Sequence, residues 1–186
     1  MGLGHSEGKN KSGKFVVGGD HTDFMGYNLG MRGRTNLSRC FNFADSWTLG
    51  WYSDRSKVLD VTSNNFSKWN GVLVGIADYK RNRGKDPVIL RLVAPSTKKH
   101  YYVGFNRKTG INADTNVAND GVTVTEKSDA SGTTRDLSYL HGILKVKDQY
   151  IIRDFDGRGI DLRVTYKSLN KTSKPYWRAF VRVERI

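Results

Sequence analysis

From about residue 56 onward the chain alternates apolar and polar positions with a period of two. The alternation predicts strands over 58–61, 72–79, 88–93, 100–105, 122–125, 142–146, 150–155, 162–166 and 177–183. Clusters of Gly, Asn, Asp and Pro bound them, as expected of short strands that each keep one face wet. The unbroken run Val88-Ile89-Leu90 is the exception and predicts a strand buried on both faces. Before residue 56 the pattern differs. Residues 1–35 are rich in Gly and polar residues, with one short strand candidate at Phe15-Val16-Val17. Over 38–49 the spacing becomes three and four. It lines Cys40, Ala44, Trp47 and Trp51 on one face of a helix, with Ser38 as its N-cap and Gly50 as its stop. The predicted fold class is mainly β: one helix, then an antiparallel β-sandwich-like domain. The composition shift at Ser53-Asp54-Arg55-Ser56-Lys57 sets domains at 1–55 and 56–186.

Composition narrows the function classes. Hydrophobic residues make up 37% of the 186, enough to build a core, so disorder of the whole chain is excluded. No apolar run approaches the roughly 20 residues of a membrane helix, so no membrane partner is expected. The net charge of +13 favours acidic partners. Only Lys80-Arg81-Asn82-Arg83-Gly84-Lys85 is a dense basic cluster. Elsewhere cations alternate with apolar residues, as in Leu144-Lys145-Val146-Lys147, which reads as solvated strand faces. Nucleic acid ranks last among the partners, because no nucleic-acid module signature accompanies the charge. Cys40 is the only cysteine and has no disulfide partner within the chain. Asn-x-Ser/Thr triplets at Asn10, Asn36, Asn65 and Asn170 lean weakly towards secretion.

Two stretches carry candidate chemistry. The first is Asp154-Phe155-Asp156-Gly157-Arg158-Gly159-Ile160-Asp161, whose acid spacing suits an oxygen-ligand calcium loop. A hairpin turn between 150–155 and 162–166 explains the same residues, and the surrounding arginines favour the turn. The second begins at the start of the chain. Gly2-Leu3-Gly4-His5-Ser6 is followed by Asp20-His21-Thr22-Asp23-Phe24-Met25-Gly26-Tyr27, then Cys40-Phe41-Asn42, then Trp47 to Tyr52.

This order and spacing resembles the gametolysin-type zinc metallopeptidases, a branch of the metzincins. Gly2 and His5 match the end of the motif H-E-x-x-H-x-x-G-x-x-H, in which two histidines one helical turn apart and a third from the following loop hold zinc. Val103-Gly104-Phe105-Asn106-Arg107-Lys108-Thr109-Gly110-Ile111-Asn112 also resembles a downstream segment of these proteins. The resemblance implies that His5 is the third zinc ligand and that Met25 forms the methionine turn packed beneath the metal. It implies that Tyr27 contacts the metal or the tetrahedral intermediate. Residues 1–55 would then be a remnant of the catalytic domain. In family members zinc and the motif glutamate activate water against a peptide carbonyl. The first two histidines and the glutamate are absent from this sequence, so zinc is not expected to be held by this chain alone, nor peptides to be hydrolysed. Asp20, His21 and Asp23 lack a spacing that would complete a site. The first fifty residues are expected to be weakly supported and open to early proteolytic nicking.

The function expected is thus the C-terminal fragment of a gametolysin-like endopeptidase acting on extracellular-matrix or cell-wall proteins. Acidic protein or glycoprotein substrates suit its basic surface. The family places it outside the cell or in the wall, although no signal-peptide pattern is found within this sequence. The alternative is a non-catalytic basic β-sandwich module that binds anionic polysaccharide or a wall protein.

Overall fold

The period-two segments fold into two sheets, seen in a computed structural model that describes residues 3–26, 39–84, 86–113, 115, 117–128, 137–172 and 176–186. In chain order the elements are β1 (Ser6–Lys9), β2 (Phe15–Val16), α1 (Phe43–Thr48), β3 (Ser56–Asp60), β4 (Lys68–Val74) and β5 (Ile89–Val93). Then follow β6 (Lys99–Asn106), β7 (Gly121–Ser128), β8 (Ser138–Leu144), β9 (Gln149–Ile152), β10 (Leu162–Asn170) and β11 (Arg178–Arg185). One sheet runs β2-β1-β8-β7-β6-β5-β3 and the other β4-β11-β10-β9. The fold is mainly β.

The inward positions of each strand fill one core between the sheets. Val164 and Tyr166 of β10 and Val181 and Val183 of β11 meet Val103 and Phe105 of β6 and Val122 and Val124 of β7. Each of these side chains is almost wholly withdrawn from water. At about 1.5–3 kcal/mol per large aliphatic or aromatic group, this core is the main source of stability. The other face of the larger sheet is buried too. Phe43 and Ala44 of α1 pack there with Val88, Ile89 and Tyr102. Gly104 makes this possible, because a Cβ at that position would lie 2.2 Å from the Phe43 ring. Val88, Ile89 and Leu90 are all fully buried, with Leu90 in the inter-sheet core and Ile89 beneath the helix.

Four expectations change. The segment 72–79 is not one strand: β4 ends at Val74, and Ile76–Arg81 closes a 3-10 turn in which Asp78 N–H donates to the Gly75 carbonyl at 2.9 Å. Ile76 and Asp78 are still buried, so the alternation was real but the backbone differs. The helix is shorter than 38–49. Asn42 caps it, its side chain accepting the Asp45 N–H at 2.9 Å, so Cys40 precedes the helix and Trp51 follows it. Ser38 lies outside the described residues. The larger sheet is mixed rather than antiparallel, since β1 runs parallel to β8 and β3 parallel to β5. Finally, the start of the chain is tied in: β1 pairs with β8 through Ser6, Glu7 and Gly8, so segments on both sides of residue 55 share one sheet.

Candidate functional site

The segments that carry the resemblance converge at one end of the larger sheet. β1 brings Ser6 in from the edge, and the turn from Asp20 to Gly26 folds over it. That turn is tight: a Cβ on Gly26 would lie 1.7 Å from the Asp20 carbonyl oxygen, so only glycine fits there. The turn is joined to β1 by main-chain bonds, Ser6 N–H to the Met25 carbonyl and Asp20 N–H to the Ser6 carbonyl, both at 3.3 Å. Met25 is half-buried, and His5, one residue before the strand, is exposed. Tyr27, Met1 and Gly2 lie outside the described residues.

Beneath this junction is a sealed polar cluster. Asp20, Asp23 and Asp45 are each 0% exposed, together with Ser6 and Ser138. Asn42 sits at the centre: its Nδ2 lies 2.8 Å from Ser138 Oγ and 3.2 Å from Asp20 Oδ2, while its backbone N–H donates to Asp23 Oδ1 at 2.8 Å. Ser6 Oγ donates to Asp23 and lies 2.9 Å from Ser138 Oγ. Lys127, from β7, pairs with Asp45 Oδ1 at 2.7 Å and is the one lysine in the cluster. Three carboxylates face this ammonium and the guanidinium of Arg39, which feels the charges of Asp20 and Asp23, so acid is still in excess. Burial raises the pKa of Asp20, which hydrogen bonds from Thr22 and Asn42 oppose. For Asp23 burial is again the largest cause, reinforced by the charges of Asp45 and Asp20 and by a hydrogen bond to Asp45, and its pKa lies well above the usual range.

The cluster acts as a clamp. It gathers β1, the Met25 turn, the helix cap, β7 and β8 around shared hydrogen bonds, all shielded from water. Asp20 and Asp23 spend their oxygens on Thr22, Asn42 and Ser6. His21 is held through its carbonyl, which accepts from Arg39 at 2.6 Å. Among the described residues no three His, Cys, Asp or Glu side chains are grouped as a metal site. Cys40 is half-buried and its thiol is pushed up to about 12, by burial first and then by the charge of Asp23, which favours the protonated thiol.

The Asp154–Asp161 loop is a turn built on its own acids. Asp154 Oδ1 accepts from Gly159 N–H at 2.7 Å, Asp156 Oδ1 from Arg158 N–H at 3.0 Å, and Asp161 Oδ1 from Asp154 N–H at 2.9 Å. It joins β9 and β10, an antiparallel pair.

The sequence pattern set Ser6, Asp20, Thr22, Asp23 and Asn42 in a resemblance to a zinc site, with no sign that they share a buried polar cluster. Asn42 and Asp45 carried a readable signal, since Asn-x-x-Asp before an apolar helix is a cap pattern. Lys127 and Ser138 carried none: in Thr125-Glu126-Lys127-Ser128 the lysine looks like any solvated strand residue. No protein-family profile, curated protein or solved structure matches the chain.

Proposed function

We propose that the chain is the C-terminal portion of a gametolysin-like zinc endopeptidase that acts on extracellular-matrix or cell-wall proteins, and that these 186 residues alone do not hydrolyse peptides. The observation that supports this reading is the hydrogen bond from Ser6 N–H to the Met25 carbonyl. It sets the methionine turn directly against the residue after His5, two segments that the family motif requires together and that the eighteen intervening residues could have left apart. The buried clamp supports the same reading, because it fixes both segments on the rigid sheet.

The described residues do not themselves fit a catalytic zinc. His5 is the accessible imidazole at the junction, and a catalytic site needs about three protein ligands. The acids nearby are consumed by the clamp. In this reading His5 and Met25 form the floor of a site whose remaining ligands and general base come from outside the sequence.

The test is the native transcript upstream of the codon for Met1. An in-frame H-E-x-x-H there, giving an extended protein whose zinc-dependent peptidase activity is lost in His5→Ala, is the expected result. A stop codon or unrelated sequence overturns the reading. Zinc-dependent peptidase activity in the 186-residue chain itself, abolished by His5→Ala, overturns the claim of inactivity.

A second reading is favoured by the excess positive charge: a basic β-sandwich that grips anionic polysaccharide. Lys145 and Lys147 of the β8–β9 turn are exposed. Retention on an acidic polysaccharide column that falls with salt, with no transcript extension, would select it.

A further inference from the structure

A groove of about 590 Å³ opens beside the clamp, between the segment around α1 and the 3-10 turn Ile76–Arg81. One wall is a continuous run of aromatic rings. Phe24 meets Phe41 and Phe41 meets Trp51, both at 5.4 Å between centroids; Trp51 meets Tyr52 at 6.4 Å and Tyr52 meets Tyr79 at 4.8 Å. Successive planes are turned 67°, 68°, 85° and 70°. Phe24 is 54% exposed and Trp51 47%, large apolar areas for a surface to leave in water. The rim carries Lys80 and Arg81, both exposed, and among the described residues no carboxylate pairs with either. These are the first two members of the one dense basic cluster in the sequence. Asp54, the acid on this side, is engaged by the Tyr79 hydroxyl at 2.9 Å and by Arg55 at 3.7 Å.

We propose that this groove docks an acidic peptide segment carrying a bulky apolar side chain. The volume suits one anchor side chain with its flanking backbone, within the roughly 300–1,000 Å³ of ordinary ligand clefts. The aromatic wall supplies the apolar contact, and its edge-to-face packing holds the rings in place beforehand, so little side-chain freedom is lost on binding. Lys80 and Arg81 supply charge complementarity on the rim. The groove adds no negative charge at neutral pH: burial pushes the Tyr52 phenol up to about 12, as it does the Cys40 thiol. Nucleic acid fits less well. Rings turned edge-to-face along the wall cannot stack successive bases. The proposal needs no zinc and stands apart from the peptidase reading.

Fluorescence anisotropy of the 186-residue chain with a labelled Glu-Glu-Trp-Glu-Glu peptide tests it. Binding should weaken at least about tenfold for Trp51→Ala, a central aromatic anchor. The double substitution Lys80→Gln with Arg81→Gln should weaken it by about fivefold and flatten its salt dependence. The peptide with Ala for Trp, and that with Lys for Glu, should not bind. Trp51, Lys80 and Arg81 are all exposed, so unchanged melting curves will verify that the variants fold. Absence of binding at millimolar peptide overturns the proposal. So does binding indifferent to the three substitutions, equal binding of the Lys peptide, or an oligothymidylate that occupies the groove in preference to the peptide.

Discussion

Glu126 and Lys127 are neighbours on β7, yet they serve opposite faces of the larger sheet and two different polar centres. Lys127 reaches the helix side and enters the clamp, where three carboxylates share its one ammonium. Glu126 faces the other way, with its Oε2 2.9 Å from His141 Nε2 and its Oε1 3.5 Å from Lys99 Nζ. His141 in turn meets the Tyr150 hydroxyl at 3.2 Å. Both centres are largely withdrawn from water, and burial alone would raise every carboxylate in them. In the clamp it does, for Asp20 and Asp23. At Glu126 burial is again the largest single cause. However, the hydrogen bonds from His141 and Tyr101 and the charges of His141 and Lys99 together outweigh it, and the pKa falls below the usual range. The balance of donors to acids, rather than depth, decides which form of a buried carboxyl the fold selects.

The largest break in this comparison is Lys127→Met. It removes the one ammonium from the clamp and leaves Asp45 buried among carboxylates, which costs about 3–5 kcal/mol for a broken buried pair. Urea denaturation should show the midpoint collapsing. Because Lys127 holds α1 to β7, limited proteolysis should also cut the variant before residue 55 faster than it cuts the native chain. A loss under about 1 kcal/mol would mean that the clamp carries no net charge worth compensating.

Asp23→Asn sharpens the contrast from the acid-rich side. A carboxyl whose folded pKa is raised gives stability that is fully present below its unfolded value, near 4, and is lost as pH rises through the folded value. Asparagine keeps the Oδ1 that accepts the Asn42 N–H and has no proton to lose, while its amide gives up the Oδ2 that accepts from Ser6 and Asn42, a cost that does not change with pH. Relative to the native chain, the variant should therefore gain stability as pH rises from about 4 to 8, by about 1 kcal/mol at the upper end. Melting temperatures across that range will show it. A difference that is flat with pH would refute the raised pKa.

These residues also mark where the sequence stopped being informative. Period-two alternation identified β5, β6 and β11 nearly to their ends, and β10 except for its last four residues, because burying one face is a local constraint that each strand must satisfy. The buried run at Val88-Ile89-Leu90 was legible for the same reason. The break after Val74 was not, since Ile76 and Asp78 keep the alternation while the backbone turns. The clamp was half legible: Ser6, Asp20 and Asp23 lie in a motif-like order, and Asn42 announces a helix cap. Lys127 and Ser138 join it only because β7 and β8 pair with a particular register beside β1, and pairing register is written in no local pattern. The groove was hidden too, as its wall and rim come from segments near residues 24, 41, 51 and 80.

Glu126→Gln tests the donor-rich side and should have the smallest effect. A carboxyl whose folded pKa is lowered gives stability that is present above its unfolded value and is lost as pH falls through the folded one. At neutral pH the substitution forfeits a charge-assisted bond to His141, but the site keeps some contact with water through Lys99, which is largely exposed. The loss should be no more than about 1 kcal/mol. On the acid side the native carboxyl takes up its proton and resembles the amide, so the two melting curves should converge towards about pH 3. This slope has the opposite sign to that of Asp23→Asn, because the native acids are shifted in opposite directions. There the variant improves with pH because the native acid is penalised; here it worsens with pH because the native acid is rewarded. In raw difference curves the Asn variant therefore rises and the Gln variant falls. Two curves running in the same direction would show that burial governs both centres and that the donors around Glu126 count for little.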